Sequence, residues 1–261
     1  MKSLIKRWVT GTPLEGLAHA TYRAFTGKPP PGPIPTDRNA LYDLETAQVL
    51  ERVLKRDSNC IDVGCHVGAI MDEMLRLAPK GRHFGFEPLP HLYSALVTKY
   101  AGRGNVVLKE LALSEAPGEA TFQHVVTNPG YSGLLKRRYD RPHEDVVEIE
   151  VKLARLDDVL PRDVPIRLMK IDVEGAELQV MKGSLETLRR WKPFVVFEHG
   201  LGAADVYGTR PEMVHDLLTG CGLRVSLMAD WVETRGKRTL SREAFADEFN
   251  TARNYYFLAH A

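Results

Sequence analysis

The 261-residue chain lacks the features of several protein classes. It has only three cysteines, an odd number without a Cys-x-x-Cys pair, which argues against a disulfide framework and against a zinc site. No run approaches the roughly 20 consecutive apolar residues that a transmembrane helix requires. The first residues are charged, but they lack the apolar core of about 7 to 15 residues that a secretory signal has. We therefore expect a reduced, cytoplasmic compartment.

An excess of charge of one sign is also absent. The sequence has 35 lysines and arginines against 34 aspartates and glutamates, a formal net charge of +1. Nucleic acid binding would require a basic face, so no nucleic acid partner is predicted. The length and a hydrophobic fraction of 44% suit one large α/β domain with a short appendage.

Residues 1–36 are predicted to be a helical N-terminal extension that ends in a proline-rich connector, Gly27–Pro35. Two interpretations of the extension remain open. It could pack on the main domain, or its basic, weakly amphipathic helix could contact a membrane surface. The oligomeric state is not predicted.

From residue 37 to residue 261, predicted strands alternate with predicted helices, which indicates parallel strands joined by right-handed crossovers. One long helix is predicted over Ala176–Arg190. A β-hairpin insertion at about residues 118–153 interrupts the order, because Ala120–Val126 and Val146–Leu153 alternate with period two. The predicted fold is a doubly wound, mostly parallel seven-stranded sheet of the Rossmann-like type.

A glycine turn, Asp62-Val-Gly64-Cys-His-Val-Gly68, follows the first predicted strand. It has two glycines where the dinucleotide pattern has three, and an acidic residue precedes them. A carboxylate there would repel phosphate but suit the ammonium of an amino acid, such as the methionine part of S-adenosylmethionine. Glu87 ends the next strand before Pro88, at the position from which a carboxylate accepts hydrogen bonds from ribose hydroxyls.

A second motif, Lys170-Ile-Asp-Val-Glu-Gly-Ala-Glu177, ends a buried strand directly before a helix. Asp172 and Glu198 end adjacent predicted strands, so their carboxylates are expected to be neighbours. With His199 they are the candidate catalytic residues. The base is left open between Asp172, which could also contact a cofactor, and His199, whose ordinary pKa lies near neutrality. Asp172 and Glu198 could also hold Mg²⁺, but no complete metal-ligand set is visible.

The loop Asn128–Tyr139 combines glycines, tyrosines and a cluster of cations. Tyrosine offers a flat face and a hydroxyl, and arginine binds phosphate or carboxylate through paired donors. Tyr131, Ser132 and Arg137, together with Glu174, are therefore predicted to contact a sugar or sugar-phosphate acceptor. A solvated charged loop is the alternative.

These motifs resemble those of FkbM-type S-adenosylmethionine-dependent methyltransferases, and the resemblance extends over about Leu44–Glu198. It implies that Asp62, Gly64, His66, Gly68, Glu87 and Pro88 lie at the cofactor, with Ala112 and Ser114 near its adenine. His66 stands where the family usually has asparagine, and Lys99 stands where an asparagine often ends the second helix. Enzymes of this type commonly methylate hydroxyls of saccharides or of polyketide-derived products.

The sequence thus predicts a class I, S-adenosylmethionine-dependent O-methyltransferase that acts on a hydroxyl of a sugar, a glycolipid or a glycosylated natural product. Two alternatives are an NAD(P)-dependent oxidoreductase on the same type of sheet and a non-catalytic nucleoside-binding module. The missing third glycine argues against the first alternative. The pairing of Asp172 with Glu198 argues against the second.

Overall fold

A computed structural model describes residues 37–139 and 143–261. The chain divides into two units, Met1–Asp43 and Leu44–Ala261. The predicted extension over residues 1–36 lies outside the described residues, so the predicted domain boundary stays a prediction.

Strands and helices alternate along most of the described chain. In chain order the strands are β1 (Asn59–Val63), β2 (His83–Phe86), β3 (Val106–Lys109), β4 (Ala112–Leu113), β5 (Gly118–Val125), β6 (Val146–Ala154), β7 (Ile166–Ile171), β8 (Phe194–Glu198), β9 (Arg224–Ser226) and β10 (Tyr256–His260). The helices are α1 (Arg38–Val53), α2 (Ala69–Leu77), α3 (Pro90–Lys99), α4 (Leu156–Val159), α5 (Glu177–Lys182), α6 (Leu185–Trp191), α7 (Pro211–Gly220), α8 (Met228–Thr234) and α9 (Arg242–Asn250).

Seven strands form one sheet in the order β3-β2-β1-β7-β8-β10-β9. The first five run parallel, and β10 pairs antiparallel with both β8 and β9. Val63 pairs with Ile171 and Ile171 with Phe197, so the carboxyl ends of β1, β7 and β8 lie side by side. The predicted doubly wound, mostly parallel, seven-stranded sheet is confirmed.

The strands at the centre of the sheet are covered on both faces, which explains their apolar sequences. Five of the six residues of β7 are buried, as are Cys60–Val63 of β1. Aromatic side chains fill the core from several elements, among them Phe84, Phe86, Phe197, Phe245 and Phe257. A core of this kind holds the strand ends, and the polar residues that follow them, in fixed places.

The predicted hairpin insertion is also confirmed. β5 and β6 pair antiparallel from Gly118↔Leu153 to Val125↔Val146. The short strand β4, which the sequence analysis missed, adds to β6 in parallel and completes a separate three-stranded sheet.

The prediction of one helix over Ala176–Arg190 is wrong, because α5 ends at Lys182 and α6 begins at Leu185. The backbone at Gly183 lies against Ser114, and a Cβ there would be 2.1 Å from the Ser114 carbonyl oxygen. The Ser184 hydroxyl donates to the Val180 carbonyl at 2.6 Å. A glycine followed by a serine that bonds back to the helix therefore ends α5 at this contact.

Among residues 37–139 and 143–261, no helix is both long enough and apolar enough to span a bilayer.

Candidate active site

The first glycine of the turn after β1 permits close backbone contact with the strand end of β7. Gly64 has φ +78°, in the left-handed region, and a Cβ at Gly64 would lie 2.0 Å from the Asp172 carbonyl oxygen. The Asp172 amide also donates to the Val63 carbonyl at 3.2 Å. Only glycine fits at this position, and it brings the two motifs into contact.

Gly68 ends the turn and precedes α2. Its φ is +80°, and a Cβ would lie 2.5 Å from the Tyr100 hydroxyl oxygen. The Tyr100 hydroxyl donates to the Gly68 carbonyl at 2.8 Å, and Lys99 Nζ donates to the Val67 carbonyl at 2.9 Å. The lysine that departs from the family's pattern therefore helps to hold the turn.

His66 and Glu87 are joined through the backbone of His66. Its amide donates to Glu87 Oε2 at 2.8 Å, and the Leu89 amide donates to Glu87 Oε1 at 3.0 Å. His66 has φ +49°, a conformation that asparagine and histidine adopt more readily than most residues. Replacing the family's asparagine with histidine therefore leaves this contact intact, because the side chain does not make it.

Asp62 is buried at the end of β1 with a side chain that is only 1% exposed. Within the described part of the chain, neither carboxylate oxygen has a well-formed hydrogen bond. Burial raises the pKa of Asp62 to about 6, an effect larger than the opposing ones of Lys170, the Cys65 thiol and the Met71 amide. A buried carboxylate without well-formed hydrogen bonds is costly by itself, so this position suits a cationic ligand such as an ammonium.

The residues expected near an adenine lie on the small sheet. Ala112 and Ser114 are buried, and the Ser114 amide donates to the Ala154 carbonyl. Ala112 belongs to the same apolar cluster as Leu89, the residue that follows Glu87 and Pro88. The chain therefore brings the β4 segment next to the end of β2, as the resemblance implies.

Asp172 is bonded to groups from neighbouring strands. Its Oδ2 accepts from the Tyr256 hydroxyl at 2.5 Å and lies 3.0 Å from Lys170 Nζ, and Lys170 Nζ is 3.4 Å from the Gly64 carbonyl. Burial by itself raises the pKa of Asp172, but Lys170, Tyr256 and a hydrogen bond with Glu198 outweigh it and lower the pKa to about 2. Asp172 is therefore an anion near neutral pH.

The pKa of Glu198 is shifted in the opposite direction from that of Asp172. Burial, and then the negative charges of Asp172 and Glu177, raise its pKa well above the ordinary value. Two interacting carboxyl groups whose surroundings separate their pKa values form a pair with distinct acid and base members. The prediction that the ends of β7 and β8 bring these carboxyls together agrees with their hydrogen bond.

Glu177 binds the turn that precedes its own helix. Its Oε1 accepts from the amides of Val173 and Gly175 at 3.1 and 3.0 Å. These bonds fix Glu174, which has φ +58°. Glu177 thus has a structural role in the motif.

His199 does not lie with the carboxyl pair. Its side chain is fully buried and stacks on Phe245 and Phe249, with ring centroids 5.7 and 4.6 Å away. Neither ring nitrogen has a hydrogen-bond partner among the described residues. Burial lowers the pKa of His199 to about 3, so the geometry argues against the expectation that it is the catalytic base.

The predicted substrate residues form one contact group around Arg137. Its guanidinium pairs with Glu174 and lies over the Tyr131 ring, 4.9 Å from the centroid. Tyr131 in turn stacks on Tyr139 with an interplanar angle of 9° and centroids 6.1 Å apart. Arg137 Nε has no hydrogen-bond partner among residues 37–139 and 143–261. The loop is therefore ordered against the second motif through Arg137.

Ser132 differs from its predicted partners in this group. It is buried, and its hydroxyl accepts from the Val125 amide at 3.0 Å. This bond makes Ser132 a structural residue of the loop. Tyr207 supports the same loop from the other side, because its hydroxyl accepts from the Leu135 amide at 2.9 Å.

Asp172, Glu174 and Glu198 each offer a carboxylate oxygen, and these oxygens lie within 4.8 Å of one another. The protein's own cations already bind two of the three, since Lys170 pairs with Asp172 and Arg137 pairs with Glu174. We therefore assign no metal to this group.

Sequence reasoning missed two members of the site. Lys170 enters the sequence analysis only as a residue of the second motif, and Tyr256 is not singled out there. The signal for Lys170 was a charged residue within a buried strand, which requires an anionic partner. Tyr256 gave no comparable signal, because only the sheet order places it opposite Glu198.

Comparison with known families accounts for this combination of motifs. The sequence profile of the methyltransferase FkbM domain matches residues 62–225. The chain belongs to the FkbM methyltransferase family. The matched range begins at Asp62 and includes all the carboxylates of the FkbM domain discussed above. Neither the oxidoreductase nor the non-catalytic alternative finds support in these comparisons.

Two curated methyltransferases illustrate the similarity of this chain to known proteins. Methyltransferase sdnD of Sordaria araneosa is 29% identical over 152 residues, which cover 47% of this chain and 59% of that protein. The 2-O-methyltransferase NoeI of Sinorhizobium fredii is 29% identical over 171 residues, covering 58% of this chain and 67% of that protein. The chain thus spans about three fifths to two thirds of the length of these relatives.

Among solved structures, an FkbM methyltransferase from Methylobacillus flagellatus KT has a TM-score of 0.49 and 12% identity. The match covers 80% of this chain and 44% of that one.

Proposed function

We propose that this protein is an S-adenosylmethionine-dependent O-methyltransferase that acts on a hydroxyl of a sugar, a glycolipid or a glycosylated natural product. The observation that carries the proposal is Asp62, a buried carboxylate without well-formed hydrogen bonds, beside the glycine turn of an FkbM-family chain. A relative that is 29% identical is named a 2-O-methyltransferase, which supports oxygen as the methylated atom.

The proposed cofactor site lies along the ends of β1 and β2. Asp62 would pair with the ammonium of the methionine part, which a carboxylate stabilises by charge-assisted hydrogen bonds. Glu87, with each oxygen already held by one amide, would accept hydrogen bonds from ribose hydroxyls. Gly64 and Gly68 permit close approach of a ligand to the backbone, and Ala112 and Ser114 would border the adenine. When bound, S-adenosylmethionine supplies an electrophilic methyl group on a sulfonium.

The proposed reacting end is the Asp172–Glu198 pair. An acceptor hydroxyl must lose its proton at or before the end of methyl transfer. An oxygen that has gained a methyl group but kept its proton is a strong acid, so even an Asp172 carboxylate with a pKa of about 2 can receive the proton. Before the transfer, the carboxyl pair would hold one proton, and Glu198 would carry it because its pKa is raised. His199 is left out of the proposal, because its buried ring does not reach solvent.

The proposed acceptor contacts lie on the ordered loop. Tyr131 offers an aromatic face, and Arg137 Nε has no partner among the described residues while the guanidinium pairs with Glu174. A sugar ring suits such a surface, because its C–H faces stack on aromatic rings and its hydroxyls accept from guanidinium groups.

The proposal is tested by calorimetric titration with S-adenosylhomocysteine, followed by transfer of tritium from labelled S-adenosylmethionine to p-nitrophenyl glycosides and to a glycolipid extract. We expect S-adenosylhomocysteine to bind, and Asp62→Ala and Glu87→Ala each to weaken binding by about 1–3 kcal/mol. Asp172→Asn should bind it normally but lose turnover by roughly 10²-fold or more.

Two results would contradict the proposal. One is tight binding of NADH without binding of S-adenosylhomocysteine. The other is unchanged affinity for S-adenosylhomocysteine in both Asp62→Ala and Glu87→Ala, which would remove the proposed pocket.

A further inference from the structure

Tyr256 is the first residue of β10, which runs antiparallel to both of its neighbours in the large sheet. β10 lies between β8 and β9, and the antiparallel register places Tyr256 directly opposite Glu198. Asp172 follows β7 on the other side of β8. Three adjacent strands therefore bring one phenol and two carboxyls to the same edge of the sheet.

Two donors converge on one oxygen of Asp172. The Tyr256 hydroxyl is 2.5 Å from Oδ2, and Lys170 Nζ is 3.0 Å from the same atom. Glu198 hydrogen-bonds to the same carboxylate. Asp172 thus receives a phenol and an ammonium on one oxygen, and both donors come from residues outside the carboxyl pair.

We propose that Tyr256 is a positioning residue for methyl transfer, which with Lys170 fixes the Asp172 carboxylate through Oδ2 and leaves the proton of the carboxyl pair on Glu198. This inference rests on the proposed function and assigns a role to a residue beyond the family's matched range, residues 62–225. Tyr256 acts through Asp172 and is not itself a proton acceptor.

The charged groups around the pair are consistent with this role. Asp172 faces Lys170 of its own strand, Asp62 of β1, His66 of the glycine turn, Glu198 of β8, Glu177 of α5 and Tyr256 of β10. Glu198 also faces Glu177 and the Arg137 guanidinium from the insertion loop. Lys170 is shared between Asp62 and Asp172, so it does not neutralise Asp172 alone. The Tyr256 phenol donates a hydrogen bond to Asp172 without adding a charge.

Removal of the phenol oxygen has a defined consequence. Tyr256→Phe keeps the ring but leaves Asp172 with one donor fewer, so its anion is less favoured over its acid. Asp172 then takes up a proton at higher pH than in the wild type. The Asp172 carboxylate is also free to rotate about its χ2 torsion, which loosens the geometry of the pair.

The experiment uses the full chain with Tyr256→Phe and, as a matched control, Tyr255→Phe, whose ring lies 6.0 Å from the Tyr256 ring in an edge contact. We expect both variants to bind S-adenosylhomocysteine within about twofold of the wild type. For Tyr256→Phe alone, kcat for tritium transfer to the best p-nitrophenyl glycoside should fall about 10- to 100-fold. The acid limb of its kcat–pH profile should also lie at higher pH than in the wild type. In an Asp172→Asn background, Tyr256→Phe should have no further effect on kcat.

A second readout needs no acceptor. The infrared band of protonated carboxyl groups, assigned with Glu198→Gln, should be present near neutral pH in the wild type. On acidification of Tyr256→Phe this band should begin to grow at higher pH than in the wild type or in Tyr255→Phe. The infrared titration tests the role of Tyr256 separately from the proposed methyltransferase function, because it does not require the cofactor to bind.

Three outcomes would overturn the inference. One is an infrared titration that is the same in Tyr256→Phe and the wild type. Another is a fall in kcat with an unmoved pH profile that Tyr255→Phe reproduces, which indicates a general loss of packing. The third is full activity of Tyr256→Phe in an enzyme that binds S-adenosylhomocysteine, which leaves the proposed function standing without this role for Tyr256.

Discussion

The backbones of Gly64 and Asp172 are in contact, and the Asp172 carbonyl oxygen lies where a side chain at Gly64 would begin. A Cβ at Gly64 would lie 2.0 Å from that oxygen. This contact joins the proposed cofactor turn to the proposed reacting end. A change at Gly64 therefore affects both.

Gly64→Ala should strongly destabilise the protein. The added methyl group would overlap a backbone atom, which cannot rotate away, and φ at this position is +78°. We expect a loss of more than about 2 kcal/mol of unfolding free energy, measured by urea denaturation. Gly104→Ala is the control, because nothing lies within 4 Å of a Cβ there. Equal stability of the two variants would contradict the described contact.

Binding of S-adenosylhomocysteine should depend on pH through Asp62. The pKa of Asp62 is raised to about 6, so its carboxylate is charged above that pH and neutral below it. If it pairs with the cofactor's ammonium, affinity should fall up to about tenfold per pH unit below pH 6. Calorimetry between pH 5 and pH 8 measures this change. Asp62→Asn should bind weakly and show a flatter profile over this range, and a steep profile that persists in the variant would exclude Asp62 as the group responsible.

His199 should make the protein sensitive to acid without taking part in catalysis. Its folded-state pKa of about 3 lies below the ordinary value of 6.5, so the unfolded chain binds its proton more tightly. Stability contributed by the neutral ring is complete above about pH 6.5 and decreases as the pH falls towards 3. Between pH 7.5 and pH 5, urea denaturation should show a loss about 2 kcal/mol larger in the wild type than in His199→Leu.

His199→Leu also tests the catalytic assignment. The apolar side chain is expected to fit among Phe245 and Phe249, since the histidine nitrogens have no partner there among the described residues. Turnover should stay within a few-fold of the wild type. A roughly 10²-fold loss of kcat in a variant that is fully folded would restore His199 as the base.

The Arg137–Glu174 pair should control acceptor binding without affecting the cofactor. Both side chains are largely buried, at 14% and 16% exposed, so the removal of one leaves the other without its partner. We expect Arg137→Ala and Glu174→Gln each to raise KM for the acceptor by about tenfold, and the double variant to add little. Affinity for S-adenosylhomocysteine should not change. Lys136→Ala, an exposed neighbour on the same loop, is the control.

The sequence predicted the parallel part of the sheet well, because its strands are short, mostly apolar runs with a glycine or an acidic residue at or directly after the last position. It also predicted that Asp172 and Glu198 meet, since parallel strands end at one edge. The break at Gly183 was missed because its cause is a contact with Ser114, which lies far away in the sequence. Local periodicity contains no information about such an approach.

The same limit applies to His199, which the sequence offered as an alternative to Asp172 for the base. A histidine after a strand resembles a site residue, and the two phenylalanines that bury it come from α9, about 50 positions later. The role of Tyr256 was equally hidden, because β10 inserts between β8 and β9 against the direction of the parallel strands. Residues that depend on sheet order can be assigned only when that order is known.

The placement of β10 also affects the order in which the protein can assemble. Chains emerge from the ribosome amino end first, and early segments can fold before later ones exist. The segment with Gly64, Glu87 and Asp172 can therefore come together while β8 still has an open edge. Asp172 receives its hydroxyl donor only when the final strand inserts, 84 positions later in the chain. Under the proposed function, a nascent molecule would form its cofactor turn before the Asp172 carboxylate receives the hydroxyl that positions it.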